Sequence, residues 1–124
     1  MGKITITKIF EFAAAHKLPC YKGLCNNLHG HTYKIEITIE GKIQKQGPAQ
    51  GMIMDFSVLK KIVNSCIIDY YDHSNLNDFF INPTAEIMIQ EIVNKIEPEL
   101  SYGIDIIKAR LWETPTSYAT WERK

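Results

Sequence analysis

Residues 24–37, LCNNLHGHTYKIEI, set two of the chain's four histidines on either side of one glycine, with a cysteine four residues before the first. In an extended strand, alternation puts His29 and His31 on one side, roughly 6 to 7 Å apart. Two imidazoles at that separation can lean onto one ion, and Gly30 between them is expected to leave room for it. A third histidine, His16, ends an earlier strand-like run, and antiparallel pairing of the two runs would carry it to the others. Three neutral imidazoles suit zinc and leave a coordination position for water or substrate, the stoichiometry of a catalytic site rather than a structural one. Iron, copper and nickel accept imidazole too. One histidine at a strand end is usually an ordinary surface or hydrogen-bonded residue; three converging ones argue for a metal.

Other residues could carry protons near such an ion. Cys25 lies in a polar loop with Gly23, Asn26 and Asn27. Close to a cation its pKa would fall, giving a thiolate that accepts protons or attacks carbon. Cys66 recurs on an apolar helical stripe and reads as a small core residue, while Cys20 shares the loop context of Cys25 at a greater distance from His29. Asp72 and His73 adjoin in the run YYDHSNLND, where the carboxylate could orient the imidazole and stabilise its charged form. Surface loops hold many such pairs, so this one is weak alone. Glu113 follows Ile107, Ala109 and Leu111 on one strand face, where a carboxylate is costly to bury without a partner. A ligand's ring N–H and amino group would satisfy it with two hydrogen bonds; a turn to solvent is the plainer alternative. Glu86, in the first turn of a helix, suits the helix dipole.

The elements that must position these residues follow from periodicity. Alternation from Ile4 to His16, interrupted at Lys8 and Ile9, predicts a long strand. A second strand places His29, His31, Tyr33, Ile35, Ile37 and Ile39 on one face and Thr32, Lys34, Glu36, Thr38 and Glu40 on the other. Residues 41–54 read as a loop, with Gly41, Gly47, Pro48 and Gly51. Asp55 is the expected N-cap of a helix to about Tyr70, striped by Phe56, Leu59, Val63, Cys66, Ile67 and Tyr70. Asn82 is the expected cap of a second helix, with Pro83 at its first position and Pro98 marking its end. Ile104 to Glu113 and Ser117 to Glu122 complete a β-β-α-α-β-β order, an α+β domain over residues 1–124.

The 14 basic and 14 acidic residues cancel, which argues against a nucleic-acid partner, whose phosphates select a basic surface. No stretch reaches the length of a membrane span, and the start lacks the pattern of a secretory signal. Three cysteines are a sparse, odd set, unlike a disulfide framework. A cytoplasmic location is the expectation.

The pieces FEFAAAHKL, CNNLHGHTYKIEI, GMIMDF, DHSNLND, PTAE and WET, in that order from residue 10 to 114, resemble the 6-pyruvoyl- and 6-carboxy-tetrahydropterin synthase family. The resemblance implies the tunnelling fold, a four-stranded antiparallel sheet with two helices on one side, assembled as a homo-oligomer, commonly a dimer of trimers. It implies zinc held by His16, His29 and His31, and a catalytic triad of Cys25, Asp72 and His73. It also implies that Glu113 anchors a pterin, with Thr84 and Glu86 lining the pocket. Three residues separate Cys25 from His29, as in the queuosine-pathway carboxy synthases; the animal pyruvoyl synthases have a longer gap, and folate-linked relatives place a glutamate near the cysteine. The implied reaction is conversion of 7,8-dihydroneopterin triphosphate to 6-carboxy-5,6,7,8-tetrahydropterin, with triphosphate and acetaldehyde released. Rival expectations are the pyruvoyl product, a folate-pathway aldolase-like activity, a zinc-containing pterin-binding protein without turnover and, more distantly, a zinc hydrolase.

Overall fold

A computed structural model of the chain describes residues 2–19 and 26–124. Strand β1 (Thr5–His16) pairs antiparallel with β2 (His29–Glu40) in continuous register, so that Phe12 faces Tyr33, Ala14 faces His31 and His16 faces His29. The two strands match the expected spans closely because the inward positions, from Phe10 and Phe12 to Ile35, Ile37 and Ile39, are apolar and the outward ones polar. A slip of one residue would turn all of them to water.

After a loop, helix α1 (Phe56–Val63) starts at Asp55, whose carboxylate accepts the Ser57 N–H at 2.8 Å. It runs through a π-helical turn, Asn64–Ile68, into the short helix α2 (Asp69–Tyr71). That turn corrects the expected stripe. Leu59, Val63, Ile67 and Tyr71 are buried at every fourth position, because the wider turn takes up the residue that 3.6-residue periodicity would rotate away. Tyr70 and Phe56, expected inside, are more than half exposed, and Cys66 is half-buried.

Strand β3 (Ser74–Asn75) is a two-residue bridge, parallel to β1 at Ala14 and Ala15. Helix α3 (Ala85–Ile96) is capped by Thr84, whose hydroxyl accepts the Ile87 N–H at 3.2 Å, and not by the expected Asn82. Thr84 has the extended backbone a cap needs and reaches the third amide of the helix, so Pro83 stands before the cap. A 3-10 turn containing Pro98 ends the helix.

Strand β4 (Asp105–Thr114) pairs with β2, and β5 (Ser117–Glu122) pairs with β4, giving the order β3-β1-β2-β4-β5. The four expected antiparallel strands are all present; the fifth is too short to show in alternation. A bulge opposite Thr38 and Ile39 skips Ile107, so Ile106, with Ala109 and Leu111, faces the core in place of the expected Ile107. One apolar cluster fills the space between one sheet face and both long helices, with Met88, Ile92 and Ile96 of α3 wholly buried. The other face is polar, as expected: the Thr7 and Thr38 hydroxyls meet at 2.7 Å, and Lys34 lies over Trp112 at 4.1 Å. No helix among the described residues is long and apolar enough to cross a membrane.

Candidate metal centre

The β1–β2 register fixes the site. His16 and His29 are direct cross-strand partners, and His31 faces Ala14, two residues before His16. All three side chains lie on the helix-facing side, at the end of the core where Phe12 and Tyr33 stop. Their ring centroids form a near-equilateral triangle with sides of 4.7, 4.9 and 5.0 Å, and one donor atom of each lies within 4.8 Å of the others. Gly30 does not serve as expected: alternation turns it to the opposite face, where an added Cβ would meet, among the described residues, only the Ala14 carbonyl oxygen, at 3.7 Å.

The tautomers follow from the backbone. His16 Nδ1 lies 2.9 Å from the Pro83 carbonyl oxygen, and His29 Nδ1 lies 2.7 Å from that of Asn27. A carbonyl oxygen can only accept, so both Nδ1 atoms carry protons and donate them. Each neutral ring then has its lone pair on Nε2, and the two Nε2 atoms face each other at 3.2 Å. Two lone pairs at that distance repel unless a proton or a cation sits between them. On a tetrahedral zinc, nitrogens at about 2.05 Å from the ion lie about 3.3 Å apart. The third ring adds a buried Nε2 without a hydrogen-bond partner among the described residues, that of His31. The donor set therefore fits a metal ion. Backbone acceptors behind ligand imidazoles are the usual means of fixing them.

Burial lowers the pKa of His16, against an opposing pull from its bond to Pro83 and from the charge of Glu113. Burial likewise lowers that of His31, with Glu113 again opposing. Both effects favour the neutral, metal-competent imidazole. Burial foremost, and then the Glu113 charge, raise the Tyr33 phenol well above its ordinary range.

Glu113 joins this group. Its Oε1 lies 3.7 Å from His31 Nε2, and its side chain is 30% exposed, so the carboxylate stands between the histidines and an open cleft. Of about 400 Å³, the cleft is bordered by Glu86, Glu113, Ser117, Tyr118 and Thr120. Thr84 uses its hydroxyl as the cap of α3, and its neighbour Pro83 supplies the carbonyl behind His16.

Asp72 and His73 form a pair of their own. One Asp72 oxygen accepts the Ala13 N–H at 3.0 Å, and the other lies 3.0 Å from His73 Nδ1. The Ala13 amide foremost, with His73 contributing, holds the Asp72 carboxyl below its usual range. His73 sits in the left-handed region at φ 61°, and its N–H bonds the Ala13 carbonyl at 2.6 Å. The His73 side chain is 83% exposed, and neither residue hydrogen-bonds the three histidines. Cys25 lies outside the described residues, as does Cys20. Sequence reading missed the Pro83 and Asn27 carbonyls, which leave no signature. It placed Tyr33 on the right face, where a phenol beside two histidines in a row of isoleucines was the available signal.

The family model described as 6-pyruvoyl tetrahydropterin synthase matches residues 5–124. A protein of Haemophilus influenzae named 6-carboxy-5,6,7,8-tetrahydropterin synthase is 36% identical, over 94% of this chain and 97% of its own. A dihydroneopterin monophosphate aldolase of Pyrococcus furiosus is also 36% identical, over 83% of each. Among solved structures, the Caenorhabditis elegans 6-pyruvoyl tetrahydropterin synthase superposes with a TM-score of 0.83 at 28% identity, covering 100% of this chain and 98% of that one.

Proposed function

The chain belongs to the 6-pyruvoyl tetrahydropterin synthase family, and from that premise we propose that it converts 7,8-dihydroneopterin triphosphate to 6-carboxy-5,6,7,8-tetrahydropterin, releasing triphosphate and acetaldehyde, in the cytoplasmic pathway to queuosine. The observation that carries the reading is the Glu113 carboxylate, which borders the cleft and lies 3.7 Å from His31. A carboxylate there can accept two N–H bonds from the amino-pyrimidinone edge of a pterin. The ring would then be held with its side chain extended over the histidines.

His16, His29 and His31 would hold zinc, which when bound supplies Lewis-acid polarisation of the substrate's side-chain hydroxyls. Cys25, as thiolate, takes the proton of the adjacent carbon. His73 moves protons to and from the side-chain oxygens, and Asp72 stabilises its charged form. The Asp72 bond to the Ala13 amide supports that role, since it keeps the carboxylate ionised at neutral pH. Thr84 and Glu86 border the ring. The proposed assembly is a dimer of trimers, which would offer the exposed His73 a second copy to face.

Purified, zinc-loaded protein incubated with 7,8-dihydroneopterin triphosphate and followed by mass analysis tests the reading. A carboxy-pterin is the expected product. A pyruvoyl-pterin would contradict it in favour of the sister activity. The Pyrococcus furiosus relative favours one further reading, an aldolase, which predicts carbon–carbon cleavage without triphosphate elimination. Cys25→Ala should lower turnover at least a hundredfold; full activity in that variant would remove the thiolate from the mechanism.

A further inference from the structure

We propose that Tyr33 is a positioning residue of the histidine cluster: its hydroxyl, with the Pro83 carbonyl, holds the His16 imidazole so that Nε2 is the nitrogen offered to a metal ion. The inference rests on reading the cluster as a metal site. Tyr33 is wholly buried, two residues beyond His31 on β2. Its ring stacks on Phe12 at 4.9 Å between centroids and 12° between planes, which sets the ring's orientation from the core side. It meets His16 and His31 nearly at right angles, at 6.1 and 5.6 Å.

The Tyr33 hydroxyl lies 3.1 Å from His16 Nδ1, and the Pro83 oxygen 2.9 Å from the same atom. Because the carbonyl requires a proton on Nδ1, the phenol oxygen is a second acceptor for it, in a three-centre bond. One acceptor fixes the tautomer. Two acceptors, from different elements, also fix the rotation of the ring about its Cβ–Cγ bond and hence the direction of Nε2. The other inward positions of β2 beyond the histidines are Ile35, Ile37 and Ile39, so packing alone does not call for a hydroxyl there. His16 is its only hydrogen-bond partner among the described residues.

Tyr33→Phe keeps the ring and its stacking and removes only the second acceptor. Zinc affinity is measured by competition with a chromophoric chelator, and the symmetry of the site by visible absorption of bound Co²⁺. The variant should bind zinc about tenfold to a hundredfold more weakly, with displaced Co²⁺ bands and an unchanged far-ultraviolet circular dichroism spectrum. Tyr71→Phe is the matched control. Tyr71 is equally buried and its hydroxyl has no partner among the described residues, so the zinc affinity of this control should stay at the unsubstituted value. Unchanged affinity and bands in Tyr33→Phe overturn the proposal and leave the metal reading standing; an unsubstituted protein that binds neither ion overturns both. Nitrogen-15 shifts of the unsubstituted, metal-free protein give a test independent of any variant. They should show His16 protonated at Nδ1, and protonation at Nε2 instead contradicts the proposal.

Discussion

Two imidazoles that each donate Nδ1–H to a backbone carbonyl have one lone pair left, and His16 and His29 turn theirs toward one another. The metal-free protein carries that repulsion together with the desolvation of His16 and His31. The sign of the resulting pH dependence follows. Burial holds both imidazoles below their ordinary value of about 6.5, so below that pH the unfolded chain binds protons that the folded chain refuses. Stability of the chelated protein should therefore fall as pH drops through 6.5, and level off once the folded imidazoles protonate. Urea midpoints measured from about pH 8 to about pH 5 check this; a midpoint that rises on acidification contradicts it. Tyr71 carries the opposite kind of residue-scale information. Its buried hydroxyl has no partner among the described residues, so Tyr71→Phe should be neutral or stabilise by up to about 1 kcal/mol, read from thermal melts, and a clear loss of stability would contradict this. The side chains of this site were legible because alternation assigns His16, His29, His31 and Glu113 to one sheet face. The carbonyls of Pro83 and Asn27 were not, since every residue has one and only the folded path decides where it points.

Elements were legible where their period is undisturbed. The spans of β1, β2 and β5 follow directly from alternation, and Asp55 caps α1 as its type and place suggest. The differences arise where one residue is inserted into a regular pattern. The π-helical turn brings Tyr71 inside in place of Tyr70, and the bulge in β4 brings Ile106 inside in place of Ile107. Neither insertion changes composition, so a pattern of residue types does not register it. At α3 two capping residues compete within three positions, and the geometry selects Thr84 over Asn82. Thr84→Ala should cost about 1 kcal/mol, within roughly 0.5 to 2, measured by urea denaturation; no loss at all would show that the cap bond contributes nothing net. Because Pro83 adjoins this cap, the start of α3 also determines the acceptor behind His16, and helix and metal ligand are built by one short segment.

At the scale of the molecule, helices cover one face only of the sheet among the described residues. Its other face carries Lys34, Glu36, Arg110, Trp112 and Tyr118, joined by the Trp112–Glu36 hydrogen bond and by Arg110 over Tyr118 at 4.8 Å. Strand β5 forms one edge, and before Ala14 strand β1 has no neighbour on its outer side among the described residues. Open edges of this length usually pair or are protected. The proposed ring of copies would close them, and sedimentation of the purified protein at micromolar concentration should show a species larger than the monomer; a monomer throughout would contradict that assembly. Ring closure leaves no pattern within one chain, which is why only the resemblance raised it. Three histidines and one carboxylate are proposed to hold a metal ion and a pterin for a single reaction. That proposal turns on acetaldehyde release from 7,8-dihydroneopterin triphosphate as zinc is titrated into the chelated protein. No release is expected without metal, and added zinc should give a linear rise that breaks at one ion per chain. Full release from the chelated protein, or none at any zinc content, would contradict it.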